Sequence, residues 1–314
     1  MEGVVIKSTG SWYSVQNSDG ELYNCKLKGK FRMKGITSTN PVAVGDKVKF
    51  DLLENDQKGV IHEIFPRHNY IIRKATKLSK VSHVIAANID QAFIVVTLAR
   101  PRTSTGFIDR ILINTEAYHI RAKIIFNKID LYDDKLSNDL KILKQIYHNA
   151  GYESIEVSAI RGDNLEIFKD KLKGNTTLIT GHSGVGKSAL INAIEPGLKL
   201  KTQNISGHHK KGIHTTTFAE MFPLSFGGFI IDTPGIKEFG LTQFTRTEIA
   251  ERFPEMRKYM HKCHFSNCTH IHEPGCAVVD AIEKGNIALS RYENYLSILS
   301  DDYWEKTEKD YRLK

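Results

Sequence analysis

The stretch Gly181-His182-Ser183-Gly184-Val185-Gly186-Lys187-Ser188 fits the P-loop pattern G-x-x-x-x-G-K-[ST]. An apolar segment, residues 177–180, precedes it, and a helical segment follows it. Glycines allow successive backbone N–H groups to surround phosphates, and the following helix adds its positive end. We therefore expect these residues to bind nucleotide phosphates. Lys187 would reach the β- and γ-phosphates as a catalytic group, and the Ser188 hydroxyl would be a Mg²⁺ ligand.

A second phosphate-site motif, Asp232-Thr233-Pro234-Gly235, follows the apolar segment 229–231. An acid at the end of a buried strand can hold Mg²⁺ through a water, which is the role we expect for Asp232. The Gly235 N–H is placed to sense the γ-phosphate. The two motifs together predict a binding site for a nucleoside triphosphate.

The motif Asn127-Lys128-Ile129-Asp130 predicts which base is bound. The Asp130 carboxylate can accept hydrogen bonds from guanine N1–H and the 2-amino group, whereas adenine offers neither donor and would leave the carboxylate unpaired. Lys128 can lie along the base, and Asn127 can brace the P-loop. Ser158-Ala159, at the end of a predicted strand, suits a backbone N–H bonded to guanine O6.

The order of these motifs is permuted. Ordinary GTPases run P-loop, switch threonine, DxxG, NKxD and SA, whereas here NKxD and SA precede the P-loop and DTPG comes last. The same sheet can still form, because chain termini are often close enough for the chain to be cut and rejoined elsewhere. The segment after DTPG leads directly towards the C-terminal region, so movement there could act as a lever.

The catalytic group is the least defined part of the site. A glycine-rich and charged segment, residues 206–217, lies between the P-loop and DTPG, and we expect Thr216 or Thr217 to contact Mg²⁺ and the γ-phosphate. Ile236 follows DTPG, where many GTPases place a glutamine that orients the attacking water. His214 is a candidate substitute, and phosphate neutralisation or simple loop polarity is the other interpretation of that histidine.

The fold predicted from the pattern of segments is multidomain α/β. Short apolar runs separated by turn signals predict a small OB-type β-barrel for residues 1–69. Alternating strands and helices over residues 70–244 predict a mostly parallel sheet, which is the permuted P-loop GTPase domain. Residues 245–314 are predicted to be helical, with helices over residues 246–260, 276–284 and 289–309 and the Cys/His cluster between them. The barrel strands are predicted at residues 3–6, 12–15, 22–27, 47–53 and 59–65.

One barrel segment carries cations at alternate positions. They are Lys26, Lys28, Lys30, Arg32 and Lys34. In an extended chain these side chains share one face, and a polyanion would neutralise their repulsion. This predicts RNA contact, and a solvated loop that aids solubility is the other interpretation. A basic linker is predicted to follow, from Arg67 to Lys80.

Cysteine and histidine cluster near the C-terminus. Cys263, Cys268, His270 and Cys276 offer three thiolates and one imidazole, which is the ligand set of a closed structural Zn²⁺ site. Other nitrogen donors compete with His270, namely His261, His264 and His272. A metal would also stabilise a helical region too small to build its own core.

Composition limits the remaining choices. The chain of 314 residues has a formal net charge of +8, which favours a polyanionic partner such as nucleic acid. The N-terminus shows no signal peptide, and no apolar run is long enough to span a bilayer. We expect a cytoplasmic protein that is not a membrane protein, and a monomer.

The succession NKID, SA, GHSGVGKS, HTTT and DTPG, followed by CHFSNCTHIHEPGC, resembles the ribosome small-subunit-dependent GTPase A (RsgA) family of bacteria. The resemblance covers essentially the whole chain, including the N-terminal β region. It implies an OB-fold, a circularly permuted GTPase domain and a zinc-binding C-terminal domain. It further implies that Ala189 joins Gly181 to Ser188 in binding the phosphates. It also implies action on the small (30S) ribosomal subunit and its rRNA late in assembly, with GTP hydrolysis to GDP and phosphate stimulated by that subunit.

Two other functions compete with this interpretation. A P-loop kinase or NTPase acting on a small molecule is disfavoured by the NKID motif, and nucleotide competition would discriminate it. A non-catalytic RNA-binding module that uses GTP as a structural ligand is suggested by the missing glutamine. Multiple-turnover hydrolysis would separate that module from an enzyme.

Overall fold

The computed structural model describes residues 1–28, 41–53, 58–74, 82–200, 219–232 and 244–300. Within these ranges eleven strands form one continuous hydrogen-bonded sheet, whose five N-terminal strands close into a barrel. Helices cover the remainder of the sheet and form the C-terminal part.

The N-terminal residues form a closed five-stranded barrel. Its strands are β1 (Glu2–Ser8), β2 (Tyr13–Gln16), β3 (Leu22–Leu27), β4 (Lys47–Leu52) and β5 (Lys58–Ile64). They pair in the order β1-β2-β3-β5-β4, and β4 pairs with β1 to close the barrel. Alternate side chains, among them Phe50 and Ile61, point inward and are fully buried. The predicted OB-type barrel is confirmed.

The described part of the segment predicted as a basic linker contains a strand, which corrects that prediction for residues 70–74. Strands β6 (Tyr70–Lys74) and β7 (Ser82–Ala87) form an antiparallel hairpin. The hairpin is fixed to the barrel because the Ala87 N–H donates to the Val44 carbonyl at 2.8 Å. Gly45 permits this close approach, since a Cβ there would lie 2.1 Å from the Ala87 carbonyl oxygen.

Arg67, also assigned to the linker, is instead a buried structural residue. Its guanidinium donates two hydrogen bonds of 2.6 Å to the Asp46 carboxylate and one of 2.8 Å to the Pro41 carbonyl. The two side chains are 3% and 0% exposed. This two-pronged ion pair holds the segment between β5 and β6, which contains Arg67, to the start of β4, next to Asp46.

Replacing Arg67 by methionine is expected to lower the free energy of unfolding by roughly 3–5 kcal/mol, because it leaves the buried Asp46 carboxylate without its cation. Urea denaturation would measure the change. The matched control is Lys49→Met, because Lys49 pairs with Glu63 at 3.3 Å on the surface, where such pairs contribute little. Equal effects of the two substitutions would contradict this account.

The second part of the sheet carries the helices. Its strands are β8 (Gln91–Val96), β9 (Arg121–Phe126), β10 (Glu153–Glu156), β11 (Thr176–Thr180), β12 (Glu220–Pro223) and β13 (Phe229–Asp232). Five of them are parallel, in the order β10-β9-β8-β11-β13. β12 is antiparallel to β13 and meets β1 at the pair Lys7 and Glu220, which joins this part to the barrel.

Central strand β8 has no polar face, because both of its sides are covered. Phe93 and Val95 pack with residues of the helices on one side, whereas Ile94 and Val96 pack with those on the other. The helices on the first side are α3 (Leu165–Leu172) and α4 (Lys187–Ile194). Those on the second side are α1 (Thr105–Ala117) and α2 (Asp134–Asn149). The strand–helix alternation predicted from the sequence is confirmed.

The C-terminal residues form four further helices: α5 (Arg246–Glu251), α6 (Pro254–Met260), α7 (Ala277–Glu283) and α8 (Leu289–Leu299). The sequence predicted one helix over residues 246–260, which is wrong. Pro254 has no N–H to donate and disfavours helical geometry at Phe253, which is extended. The core of this part includes Ile113 of α1, so it is built against the rest of the molecule.

None of the helices in the described ranges has the length and apolar character needed to cross a membrane.

Candidate nucleotide site and metal centre

The P-loop segment lies where β11 ends and α4 begins, as the sequence predicts. Gly181 and Gly186 have φ of +148° and +94°, which favour glycine. A Cβ at Gly181 would lie 2.2 Å from the Val95 carbonyl oxygen, and one at Gly186 would lie 2.4 Å from Asn127 Nδ2. Both glycines are therefore required by the packing of the loop against its neighbours.

Lys187 begins α4 and turns back over the loop. Its Nζ donates to the carbonyls of Gly181 at 2.7 Å and His182 at 2.9 Å. Burial lowers the pKa of Lys187, and the Asp232 carboxylate opposes that change. Burial raises the pKa of Asp232, and Lys187 opposes that change in turn. The charges of the acid at the end of β13 and of the P-loop lysine therefore stabilise each other.

The base motif directly contacts the phosphate motif. Asn127 Nδ2 donates to the Val185 carbonyl at 2.8 Å, and Lys128 Nζ donates to the Gly184 carbonyl at 2.7 Å. The Asn127 pair is separated by 58 positions in the chain. A left-handed backbone at Lys128, with φ of 62°, turns its side chain back towards the loop. The permuted order of motifs therefore still produces one continuous site.

Asp130 and Ser158 also lie together. The Ser158 hydroxyl donates to the Asp130 carboxylate at 2.5 Å and accepts from the Arg161 N–H at 3.1 Å. Ile129, also in the base motif, binds the residue before Ser158, since its N–H donates to the Val157 carbonyl at 3.4 Å. Ala159 packs against the apolar cluster beneath the loop. The second carboxylate oxygen of Asp130 has no protein donor among the described residues.

Two residues of this region were missed by sequence reasoning. The Tyr132 hydroxyl accepts from the Leu98 N–H and donates to the Asn127 carbonyl, both at 2.9 Å, so it holds the start of the base motif. Ile160 is 83% exposed although it is apolar, and it directly follows Ala159. Ile160 could have been identified as a site residue from its position directly after the SA motif. Nothing in the sequence indicates the hydrogen bonds that Tyr132 makes.

Several predicted site residues lie outside the described part of the chain. They are His214, Thr216, Thr217 and Gly235, and Lys30, Arg32 and Lys34 of the basic segment lie outside it as well. Ser188 and Ala189 are described and half-buried in the first turn of α4.

The four predicted metal ligands converge between α6 and α7. The Sγ atoms of Cys263, Cys268 and Cys276 and a ring nitrogen of His270 all lie within 4.8 Å of one another. Nδ1 of His270 is 3.6 Å from Cys263 Sγ and 3.4 Å from Cys276 Sγ. These separations suit the edges of a tetrahedron around Zn²⁺, whose sulfur ligands lie about 2.3 Å from the metal.

The chemistry of the cluster also fits a cation. Burial raises the pKa of the Cys268 thiol to about 12, and burial also raises that of Cys276. Three thiolates could not coexist there without a metal ion to neutralise them. The competing donors His261, His264 and His272 are exposed, whereas His270 is buried within the cluster.

The loop that carries the ligands is fixed from two sides. The hydroxyls of Tyr292 and Tyr295 on α8 donate to the carbonyls of His270 and Thr269, each at 2.7 Å. The Glu273 carboxylate accepts from the Thr269 N–H at 2.7 Å. The ligands are therefore positioned by protein contacts around the cluster.

Comparisons with known proteins agree with this geometry. The family model described as RsgA N-terminal domain matches residues 2–61, and the model described as RsgA GTPase matches residues 64–242. A Christiangramia forsetii protein named small ribosomal subunit biogenesis GTPase RsgA is 55% identical, over 100% of this chain and 98% of its own. A Bacteroides fragilis protein of the same name is 52% identical, over 99% of each chain.

Solved structures show the same architecture. YjeQ from Thermotoga maritima is 35% identical with a TM-score of 0.77, covering 97% of both chains. YloQ, described as a circularly permuted GTPase, is 30% identical with a TM-score of 0.74, covering 97% of this chain and 95% of its own. The resemblance drawn from the motifs is confirmed: the chain is a circularly permuted enzyme that hydrolyses GTP, and it belongs to the RsgA GTPase family.

Proposed function

We propose that this GTPase binds the small (30S) ribosomal subunit, assists its late maturation, and hydrolyses GTP to GDP and phosphate faster when the subunit is bound. The contact of Asn127 with Val185, which joins the base motif to the P-loop, is the observation that carries the nucleotide part. The names of the relatives from C. forsetii and B. fragilis support the ribosomal part.

In the proposed complex, guanine lies against Asp130, whose carboxylate accepts from N1–H and the 2-amino group. Ser158 already donates to one oxygen of that carboxylate, which orients it. Lys128 and the exposed Ile160 would flank the base. Adenine has no donor at the matching positions, so discrimination against it follows from the carboxylate charge that it would leave unpaired.

The phosphates would occupy the loop from Gly181 to Ser188. Lys187 would exchange its two carbonyl partners for the β- and γ-phosphates. Ser188 and Asp232 would hold Mg²⁺, which supplies neutralisation of phosphate charge when it is bound. His214, Thr216, Thr217 and Gly235 keep the roles predicted from the sequence, with His214 as the candidate for orienting water.

The barrel is the proposed rRNA contact. Lys26 lies on β3 and Lys28 directly follows that strand, and both are exposed. The buried Cys25 lies on the opposite face of β3. Lys26 Nζ lies 4.3 Å from the centre of the half-exposed Trp12 ring. A cation beside an accessible aromatic ring suits a phosphate backbone with an unpaired base. We also propose that the enzyme acts as a cytoplasmic monomer, since both halves of the nucleotide site come from one chain.

GTP turnover with purified small subunits titrated in tests the ribosomal part directly. Large subunits and free rRNA are the controls. Strong stimulation by small subunits alone is expected. Equal turnover with every addition would contradict the proposed partner while leaving the nucleotide site in place.

We further propose that Cys263, Cys268, His270 and Cys276 hold one structural Zn²⁺. Replacing Cys268 by serine is expected to remove the metal and to destabilise the C-terminal helices by several kcal/mol, because metal binding and folding are coupled in such sites. Elemental analysis and thermal unfolding would measure both effects. His272→Ala is the control, since that side chain is exposed. Stoichiometric zinc in the Cys268→Ser protein would contradict the ligand assignment.

A further inference from the structure

The P-loop carries a contact that its sequence motif does not require. The imidazole of His182 stacks on the ring of Phe107 in α1, with centroids 3.6 Å apart and planes 23° apart. Phe107 is buried. The carbonyl of the same His182 accepts a hydrogen bond from Lys187 Nζ. A displacement of His182 would therefore move one of the two carbonyl groups that accept hydrogen bonds from Lys187.

Two residues further along α1, Asp109 is joined to the C-terminal helices. Its fully buried carboxylate accepts hydrogen bonds from Arg291 Nη1 at 2.5 Å and from Asn294 Nδ2 at 2.6 Å, both on α8. Arg291 also pairs with Glu255 of α6 at 2.6 Å. Desolvated charges in such a network tolerate little displacement, because each partner would be left unpaired.

Helix α8 also carries the contacts to the metal loop. Its Tyr292 and Tyr295 donate to carbonyls of that loop. One face of α8 thus fixes the Cys/His cluster, while Arg291 and Asn294 fix α1. Side-chain contacts therefore connect the metal loop to α8, α8 to α1, and α1 to His182. None of these contacts involves the segment that follows DTPG.

We propose that Phe107 is a positioning residue for the nucleotide phosphates, and that docking of α8 on Asp109 sets its place. This inference rests on the proposed binding of phosphates at Gly181 to Ser188. Correct docking of the C-terminal helices would then favour nucleotides that carry a β-phosphate, because Lys187 is held ready for that group. The nucleotide site and the C-terminal part would be coupled in both directions.

Competition titrations of the full-length, metal-loaded protein against a fluorescent GDP test the local step. Phe107→Leu removes the stack, which corresponds to a loss of about two- to tenfold in an equilibrium constant. We expect GDP affinity to fall by that factor and GMP affinity to stay unchanged, because GMP lacks the β-phosphate. Phe107→Tyr keeps the ring and is expected to restore GDP affinity.

The long-range step is tested by Asn294→Ala, a mild change on α8 that removes one hydrogen bond to Asp109. We expect a GDP-specific loss of about twofold, which is not additive with Phe107→Leu in the double variant. Glu293→Ala, on the exposed side of the same helix, is the matched control and should have no effect. Circular dichroism and thermal midpoints would establish that each variant is folded.

Equal losses of GDP and GMP affinity in Phe107→Leu would overturn the positioning role, since general loosening affects both ligands. An unchanged GDP affinity in Asn294→Ala, or strict additivity with Phe107→Leu, would overturn the coupling. Wild-type protein that binds neither GDP nor GMP would instead contradict the proposed nucleotide site.

Discussion

Replacing Lys187 by alanine is expected to reduce GTP turnover by about a hundred- to a thousandfold, the range found when one buried, preorganised charge-stabilising group is lost. Lys187 begins the helix that follows the P-loop, and its charge interacts with that of Asp232. Its removal takes away the charge that would neutralise the γ-phosphate as the bond to it breaks.

Single-turnover hydrolysis with saturating GTP, with and without small subunits, would measure this loss. Lys171→Ala is the matched control, because Lys171 pairs with Glu153 at 3.7 Å on the surface of the same part of the molecule. The control should retain wild-type turnover. Undiminished hydrolysis by Lys187→Ala would show that the chemistry takes place elsewhere.

Replacing Asp130 by asparagine is expected to weaken GTP binding by about a hundred- to ten-thousandfold, because two charge-assisted hydrogen bonds to guanine are lost or reversed. Xanthine carries a carbonyl where guanine carries its 2-amino group. The new amide can donate to that carbonyl, so the variant should prefer xanthosine triphosphate. Ser158 remains able to donate to the side-chain oxygen, which keeps the group oriented.

Displacement of a fluorescent GDP analogue from the wild-type protein, and of a fluorescent xanthosine diphosphate analogue from the variant, by GTP and by xanthosine triphosphate would measure the change in preference. The exposed Asp134, in the first turn of α2, provides the control substitution Asp134→Asn. An Asp130→Asn protein that keeps its preference for GTP would contradict the assignment of Asp130 to the base.

The convergence of the nucleotide motifs could be predicted from the sequence for a simple reason. Asn127, Ser158 and Gly181 each follow the carboxyl end of a parallel strand, and Asp232 is the last residue of another. Carboxyl ends of parallel strands meet at one edge of a sheet, whatever the order of the strands along the chain. The metal ligands were predictable because few side chains suit a buried tetrahedral site.

Other features depend on contacts between distant elements and could not be predicted. Arg67 looks like a surface cation in the sequence, and only the fold brings it to the buried Asp46. The stack of Phe107 on His182 likewise joins two segments whose register is set by helix packing. By contrast, the break before Pro254 follows a local rule and could have been predicted.

The most direct test of the central claim, that the permuted motifs form one guanine-nucleotide site, is a crystal structure of the protein with GDP and Mg²⁺. One nucleotide per chain is expected, with the Asp130 carboxylate within hydrogen-bond distance of guanine N1 and the 2-amino group. The β-phosphate is expected inside the loop from Gly181 to Ser188, in contact with Lys187. A base bound away from Asp130, or phosphates outside that loop, would contradict it.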